Sequence, residues 1–137
     1  PIGSMLVGTK EFISRARKGR KIMGGAMRQA GIIAAAGIMA IEKMIDRLGE
    51  DHENARYLAK KLEEIKGIEI MRDRLDINMV FFKLDQGRPE AIVGELYREG
   101  IKINPPEGDE WRLVTNLDVS RSDLDTFIAR FTKAVKS

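Results

Sequence analysis

Residues 68–84 read IEIMRDRLDINMVFFKL. Up to Gly67 the chain is dominated by helical spacing of its apolar residues. Here the texture changes, and β-branched and aromatic residues at Ile68–Met71 and Asn78–Leu84 predict two strands. That change makes the chain α/β rather than all-helical.

Toward the N-terminus, Met5–Val7 reads as a short strand closed by Gly8. Lys10–Lys21 predicts a helix with Phe12, Ile13 and Ala16 inward. Arg15, Arg17, Lys18, Arg20 and Lys21 crowd its last turns, where cations oppose the negative end of the helix dipole. A longer helix is expected from about Met27 to Leu48, apolar and small-residued in its first half and amphipathic afterwards. The apolar half calls for cover by other protein, and self-association is expected if it lacks that cover. After Gly49 a third helix places Ala55, Leu58, Ala59, Leu62 and Ile65 on one stripe.

Toward the C-terminus, Pro89 opens a helix at its favoured first position, with Ile92, Val93, Leu96 and Tyr97 inward and Gly100 at its end. Ile101–Asn104 and Trp111–Thr115 predict two more strands around the loop PPEGDE. The closing helix starts near Ser120, where SRSD resembles a capping box, and buries Leu124, Phe127, Ile128, Phe131 and Ala134. The expected fold class is α/β: a strand and three helices as a helical lead-in, then a compact ββαββα unit, with the boundary falling between Leu48 and Gly67.

With 137 residues, 43% hydrophobic and 33% charged, the chain is the size of one ordinary globular domain. It has no cysteine, which excludes disulfides, thiolate metal sites and thiol catalysis, and fits a cytoplasmic protein. The net charge of +3 reflects a local basic cluster rather than a global field. The run Gln29–Ile41 is well short of the roughly 20 residues that cross a bilayer, so no membrane span is expected.

Four groups could carry chemistry. RARKGRK, residues 15–21, is a weak nucleic-acid patch, because no aromatic residue interleaves with its cations for base stacking; a solvated helix end explains it better. His52 has neither a second ligand at helical spacing nor a cysteine to share a metal, and no metal site is expected. Lys21, Gly24, Gly25 and Arg28 place two cations around a glycine turn ahead of a helix N-terminus, an arrangement able to hold an anion. By itself it is indistinguishable from a helix–turn–helix. Arg112, between Trp111 and Leu113, is either a solvated strand residue or a guanidinium placed to grip a carboxylate bidentately.

Taken together, PIGSMLVGTKEFISRARKGRKIMGGAMRQAGIIAAAGIMAI, RLGEDHENARYLAKKL, NMVFF and RLVTNLDVSR resemble the C-terminal part of the low-specificity L-threonine aldolases. These are fold-type-I enzymes dependent on pyridoxal 5'-phosphate (PLP). The resemblance covers essentially the whole chain, and GG-x-MRQ-x-G with DHENAR and RLVT is its most specific combination. It implies that residues 1–48 end a large domain and that 49–137 form the small one. It also implies that Lys21 and Arg28 reach the PLP phosphate of a neighbouring subunit and that Arg112 binds the substrate α-carboxylate. The implied reaction cleaves L-threonine, L-allo-threonine and similar β-hydroxy amino acids to glycine and an aldehyde. Implied partners are like subunits, as a homodimer or homotetramer, or the N-terminal half of the enzyme.

Two departures stand out: Ala26 replaces a third glycine, and Asn116 stands where the family has a histidine after RLVT. The family's Schiff-base lysine lies before the position of Pro1. No catalytic residue is therefore expected in these 137 residues, which should be inactive alone. A non-catalytic interaction domain that keeps the fold is the competing expectation.

Overall fold

The computed structural model describes residues 4–136. Pro1 and Gly3 of the family-like N-terminal segment lie outside the described residues. The chain divides into two compact units, Pro1–Asp46 and Arg47–Ser137.

In the first unit, α1 (Lys10–Ile22) begins at Thr9, whose Oγ1 accepts a hydrogen bond from the Phe12 N–H at 3.2 Å. Such a cap satisfies one of the N–H groups that a helix start leaves without a partner. Ile13 and Ala16 are the half-buried side of this helix, as their spacing predicts. Phe12 is not inward; it is 47% exposed. The helix ends in a left-handed turn at Gly24 (φ 77°), with the Met23 N–H donating to Gly19 O and the Gly25 N–H to Arg20 O. Those two bonds are the reason for a glycine here: they close the orphan carbonyls, and a side chain at that φ is strained.

Two expectations in this unit need correction. Met5–Val7 is not a strand: it has no regular structure and no ladder partner among the described residues, and a strand exists only by pairing. The single helix over 27–48 is instead α2 (Gly31–Lys43) followed by a break and then α3 (Leu48–Glu63). At the front, Gln29 takes φ 54° and turns the chain before α2 starts. At the back, no glycine or proline marks the break at 44–47. Arg47 ends it by becoming the N-cap of α3, its carbonyl accepting the Glu50 N–H at 3.0 Å and its guanidinium gripping Asp51 at 2.8 and 3.0 Å. Gly49 therefore lies inside α3 rather than before it.

The second unit is built on a three-stranded antiparallel sheet in the order β1 (Ile68–Ile70), β2 (Met79–Leu84), β3 (Glu110–Val114). Ile70 pairs with Phe82, which pairs with Trp111 on the far side. Gly67, at φ 88°, makes the turn into β1. A Cβ there would stand 2.1 Å from Asp85 Oδ1, so only glycine fits. Strand alternation puts Ile70, Val80, Phe82 and Trp111 on one face, and all four are buried.

With α3, α4 (Pro89–Arg98) and α5 (Arg121–Lys136), that face forms the core. Phe82 stacks on Trp111 at 5.9 Å, and both meet Phe131 edge-on. The expected stripe of α3 is buried from Ala55 to Ile65, as are Leu124, Phe127, Phe131 and Ala134 of α5. The Ser120–Asp123 capping box is formed in both directions, with the Ser120 N–H donating to Asp123 Oδ2 at 2.9 Å and the Asp123 N–H to Ser120 Oγ at 3.2 Å.

Two further expectations fail. Tyr97 is 69% exposed, because α4 buries a stripe through Ile92 and Leu96 that Tyr97 overshoots. Ile101–Asn104 is not a strand, so the order is ββαβα rather than ββαββα. Its first N–H is spent on Leu96 O at 2.9 Å, closing α4. Pro105 and Pro106 follow, neither able to donate to a ladder, and they restrict the residue before them. Ile101 and Ile103 nevertheless pack against the core.

Candidate active site

Arg112 sits in the middle of β3 with its side chain exposed. It borders two cavities. The larger, about 640 Å³, is lined by Ile101, Ile103, Val114, Leu124 and Arg130 among others. The smaller, about 160 Å³, is bounded by Arg74, Phe81, Asn104, Pro105, Glu107 and Glu110 besides Arg112.

Among the described residues, no carboxylate pairs with Arg112. Two carboxylates earlier on the same stretch are engaged elsewhere: Glu110 by Arg74 at 2.7 Å and Asp109 by Lys83 at 2.6 Å. That second hydrogen bond holds the Asp109 carboxyl below its ordinary range and raises the Lys83 ammonium above its own. Glu107, also on the smaller cavity, is exposed and pairs with no cation among the described residues. A guanidinium on a rigid strand without an internal partner is equipped to bind an external carboxylate through two parallel hydrogen bonds.

The strand that carries Arg112 is fixed to α3 by contacts that the sequence does not announce. Thr115, 1% exposed, donates through Oγ1 to the Asp51 carbonyl at 2.6 Å, and its N–H donates to Asn78 O at 2.9 Å. Asn78 Nδ2 returns a bond to Thr115 O at 2.6 Å. Asn54 donates to Val119 O at 3.3 Å. So DHENAR and RLVTN hold one another through a bond that spans 64 residues of chain. Asp51 itself is buried against Arg47, whose guanidinium is pushed further above its ordinary range by that hydrogen bond.

Asn116 caps the turn after β3, its Oδ1 accepting the Asp118 N–H at 2.9 Å. His52 is half-buried on α3. No cluster of three metal-ligating side chains occurs among the described residues.

Lys21 and Arg28 belong to the first unit, Arg112 to the second. Lys21 is in the last turn of α1 and Arg28 follows the glycine turn; both are exposed and form no ion pair among the described residues. α2 starts just beyond them, and its N-cap, Ala30, supplies no side-chain hydrogen bond. Two uncompensated cations beside uncapped helix N–H groups are the donor set a phosphate requires.

Helices over a three-stranded antiparallel sheet, with an arginine on its last strand that is unpaired among the described residues, define an α/β domain. Residues 1–85 match the model of the beta-eliminating lyase family, and the chain belongs to that family. It is 44% identical over 124 residues to the low-specificity L-threonine aldolase of Escherichia coli K12, covering 90% of this chain and 36% of that one. To low-specificity L-threonine aldolase 1 of Arabidopsis thaliana it is 31% identical, covering 98% and 38%. The chain thus spans little more than a third of the length of these relatives.

The fold matches a crystal structure from Exiguobacterium sp. 255-15 described as an aromatic amino acid beta-eliminating lyase/threonine aldolase, with a TM-score of 0.72 and 18% identity, over 93% of this chain and 39% of that one. No helix among the described residues is long and apolar enough to cross a membrane.

Proposed function

We propose that these residues form the C-terminal portion of a PLP-dependent carbon–carbon lyase that cleaves L-threonine, L-allo-threonine and similar β-hydroxy amino acids to glycine and an aldehyde. The observation that carries the reading is the Arg112 guanidinium, placed on a strand beside two cavities and without an ion-pair partner among the described residues, while Glu110 on its own face is held by Arg74. The named activities of the relatives supply the substrate class.

In this reading Arg112 clamps the α-carboxylate of the amino acid. That clamp fixes the Cα–Cβ bond in the orientation from which it breaks. Lys21 and Arg28, with the first N–H groups of α2, hold the phosphate of PLP across a subunit boundary. PLP when bound supplies the electron sink for the charge left on Cα. Asn116 cannot accept the β-hydroxyl proton, because an amide has no basic site near neutral pH; its carbonyl oxygen already closes a turn. In this reading the covalent anchor for PLP is supplied from another part of the protein. The assembly is a homodimer or homotetramer, working in the cytoplasm.

The test is co-expression with the N-terminal half that carries the PLP-anchoring lysine, followed by an assay for acetaldehyde release from threonine. Arg112→Ala should raise KM roughly 10- to 100-fold, as expected for loss of a charge-assisted pair. Arg112→Lys should recover only part of it, lacking the planar fork. A soluble complex without activity, or Arg112→Ala with normal KM, overturns the reading.

A further inference from the structure

Glu110 and Arg112 are two residues apart on β3 and share one face of the sheet. Their Cα atoms are about 7 Å apart, close enough for opposite charges to pair along the strand. They do not pair. Glu110 Oε2 is instead bound to Arg74 Nη1 at 2.7 Å, from a segment 36 residues away.

Arg74 is held for this task from two directions. Its guanidinium carbon lies 3.6 Å from the centre of the Phe81 ring, in cation–π range. Its backbone is the end of a single 3-10 turn, Arg72–Arg74, which follows the Met71 N–H bond to Phe81 O at 2.9 Å. Phe81 in turn lies directly across from Arg112. Because Thr115 and Asn78 form a hydrogen-bonded pair, the alternation of an antiparallel ladder makes Phe81 and Arg112 a non-hydrogen-bonded one, the kind whose side chains approach most closely. Arg74, Phe81, Glu110 and Arg112 all line the smaller cavity.

We propose that Arg74 is a positioning residue that, seated on Phe81, sequesters Glu110 and thereby keeps the Arg112 guanidinium open for the substrate carboxylate. This rests on the reading of Arg112 given above. Without Arg74, the cation left to Glu110 besides Arg112 is Lys83, directly across on β2 and already bound to Asp109 at 2.6 Å; Glu110 then competes with the substrate for the donors of Arg112, on the same face. Glu107 does not compete in this way: it is exposed and, among the described residues, has no ion pair with Arg74 intact, yet forms none with Arg112.

The experiment is steady-state kinetics on the reconstituted enzyme. Arg74→Ala should raise KM for threonine about fivefold with kcat little changed, the scale of one exposed ion pair gained by a competitor. Arg74→Ala combined with Glu110→Gln should return KM to the wild-type value, whereas Arg74→Ala combined with Glu107→Gln should not. Glu110→Gln alone should leave KM equal or lower, a readout that stands even if Arg74→Ala folds poorly. Unchanged KM in Arg74→Ala, no rescue by Glu110→Gln, or a raised KM in Glu110→Gln alone overturns the proposal while the role of Arg112 stands. If Arg112→Ala is itself without effect, both fall together.

Discussion

The hydroxyl of Thr115 donates to the backbone carbonyl of Asp51 across 64 residues of chain, at 2.6 Å and in full burial. This bond ties the end of the strand bearing Arg112 to the first turn of α3. Replacing the hydroxyl with a methyl keeps the shape and removes the donor. Thr115→Val should cost about 1–2 kcal/mol, the usual loss for a buried hydrogen bond, measured by urea denaturation. If the strand end is positioned by this bond, KM should rise as well.

Phe131 is fully buried and touches both Trp111 and Phe82 edge-on. Phe131→Ala removes the centre of the aromatic cluster and should cost about 3–5 kcal/mol, a large part of the stability of an ordinary domain. Thermal unfolding by circular dichroism would show it. A loss below about 1 kcal/mol would mean that the cluster repacks.

Asp123 accepts from both the hydroxyl and the N–H of Ser120, and these bonds hold its carboxyl below the ordinary range. A carboxyl depressed by folding stabilises the folded state above its unfolded pKa of about 3.9 and loses that contribution as pH falls through the folded value. The melting temperature of Asp123→Asn should therefore lie below the wild type at pH 7. The gap should close as pH drops below about 4. A gap independent of pH would show that the ionised carboxylate is not what stabilises the cap.

Lys21 and Arg28 carry the phosphate part of the proposed function. Lys21→Ala in the reconstituted enzyme should weaken PLP binding roughly tenfold, as expected for one lost charge-assisted contact. Equilibrium dialysis against PLP measures it. A matched loss of affinity for inorganic phosphate would locate the effect at the phosphate rather than the ring.

Ile32 and Ile41 on α2 are 86% and 59% exposed. Exposed aliphatic side chains along one helix favour association. Sedimentation velocity should show a mass that rises with concentration, and Ile32→Glu with Ile41→Glu should reduce it. A monomer at all concentrations would argue that the helix needs no partner.

The local grammar of the chain was legible without coordinates. The stripe from Ala55 to Ile65 fixed α3, the β-branched runs fixed β1 and β2, and Ser120 with Asp123 fixed the start of α5. Each depends on residues within a few positions of one another, where side-chain spacing and hydrogen-bond reach are set by the backbone itself. The break at Met44–Arg47 was not legible, because no breaker residue occupies it; Arg47 ends one helix by committing its side chain to Asp51 in the next. Nor was the lost strand at Ile101–Asn104, whose alternation is correct while its ladder is denied by Leu96 and the two prolines.

The site divides in the same way. The sequence placed Arg112, Lys21 and Arg28 as candidate anion ligands through motif resemblance and charge, both of which can be read along a line. It could not say that Arg112 is free. That depends on Arg74 reaching Glu110, a contact that spans 36 residues. Which carboxylate a cation meets is set by strand register and loop path, and those are decided only when the sheet closes over its core.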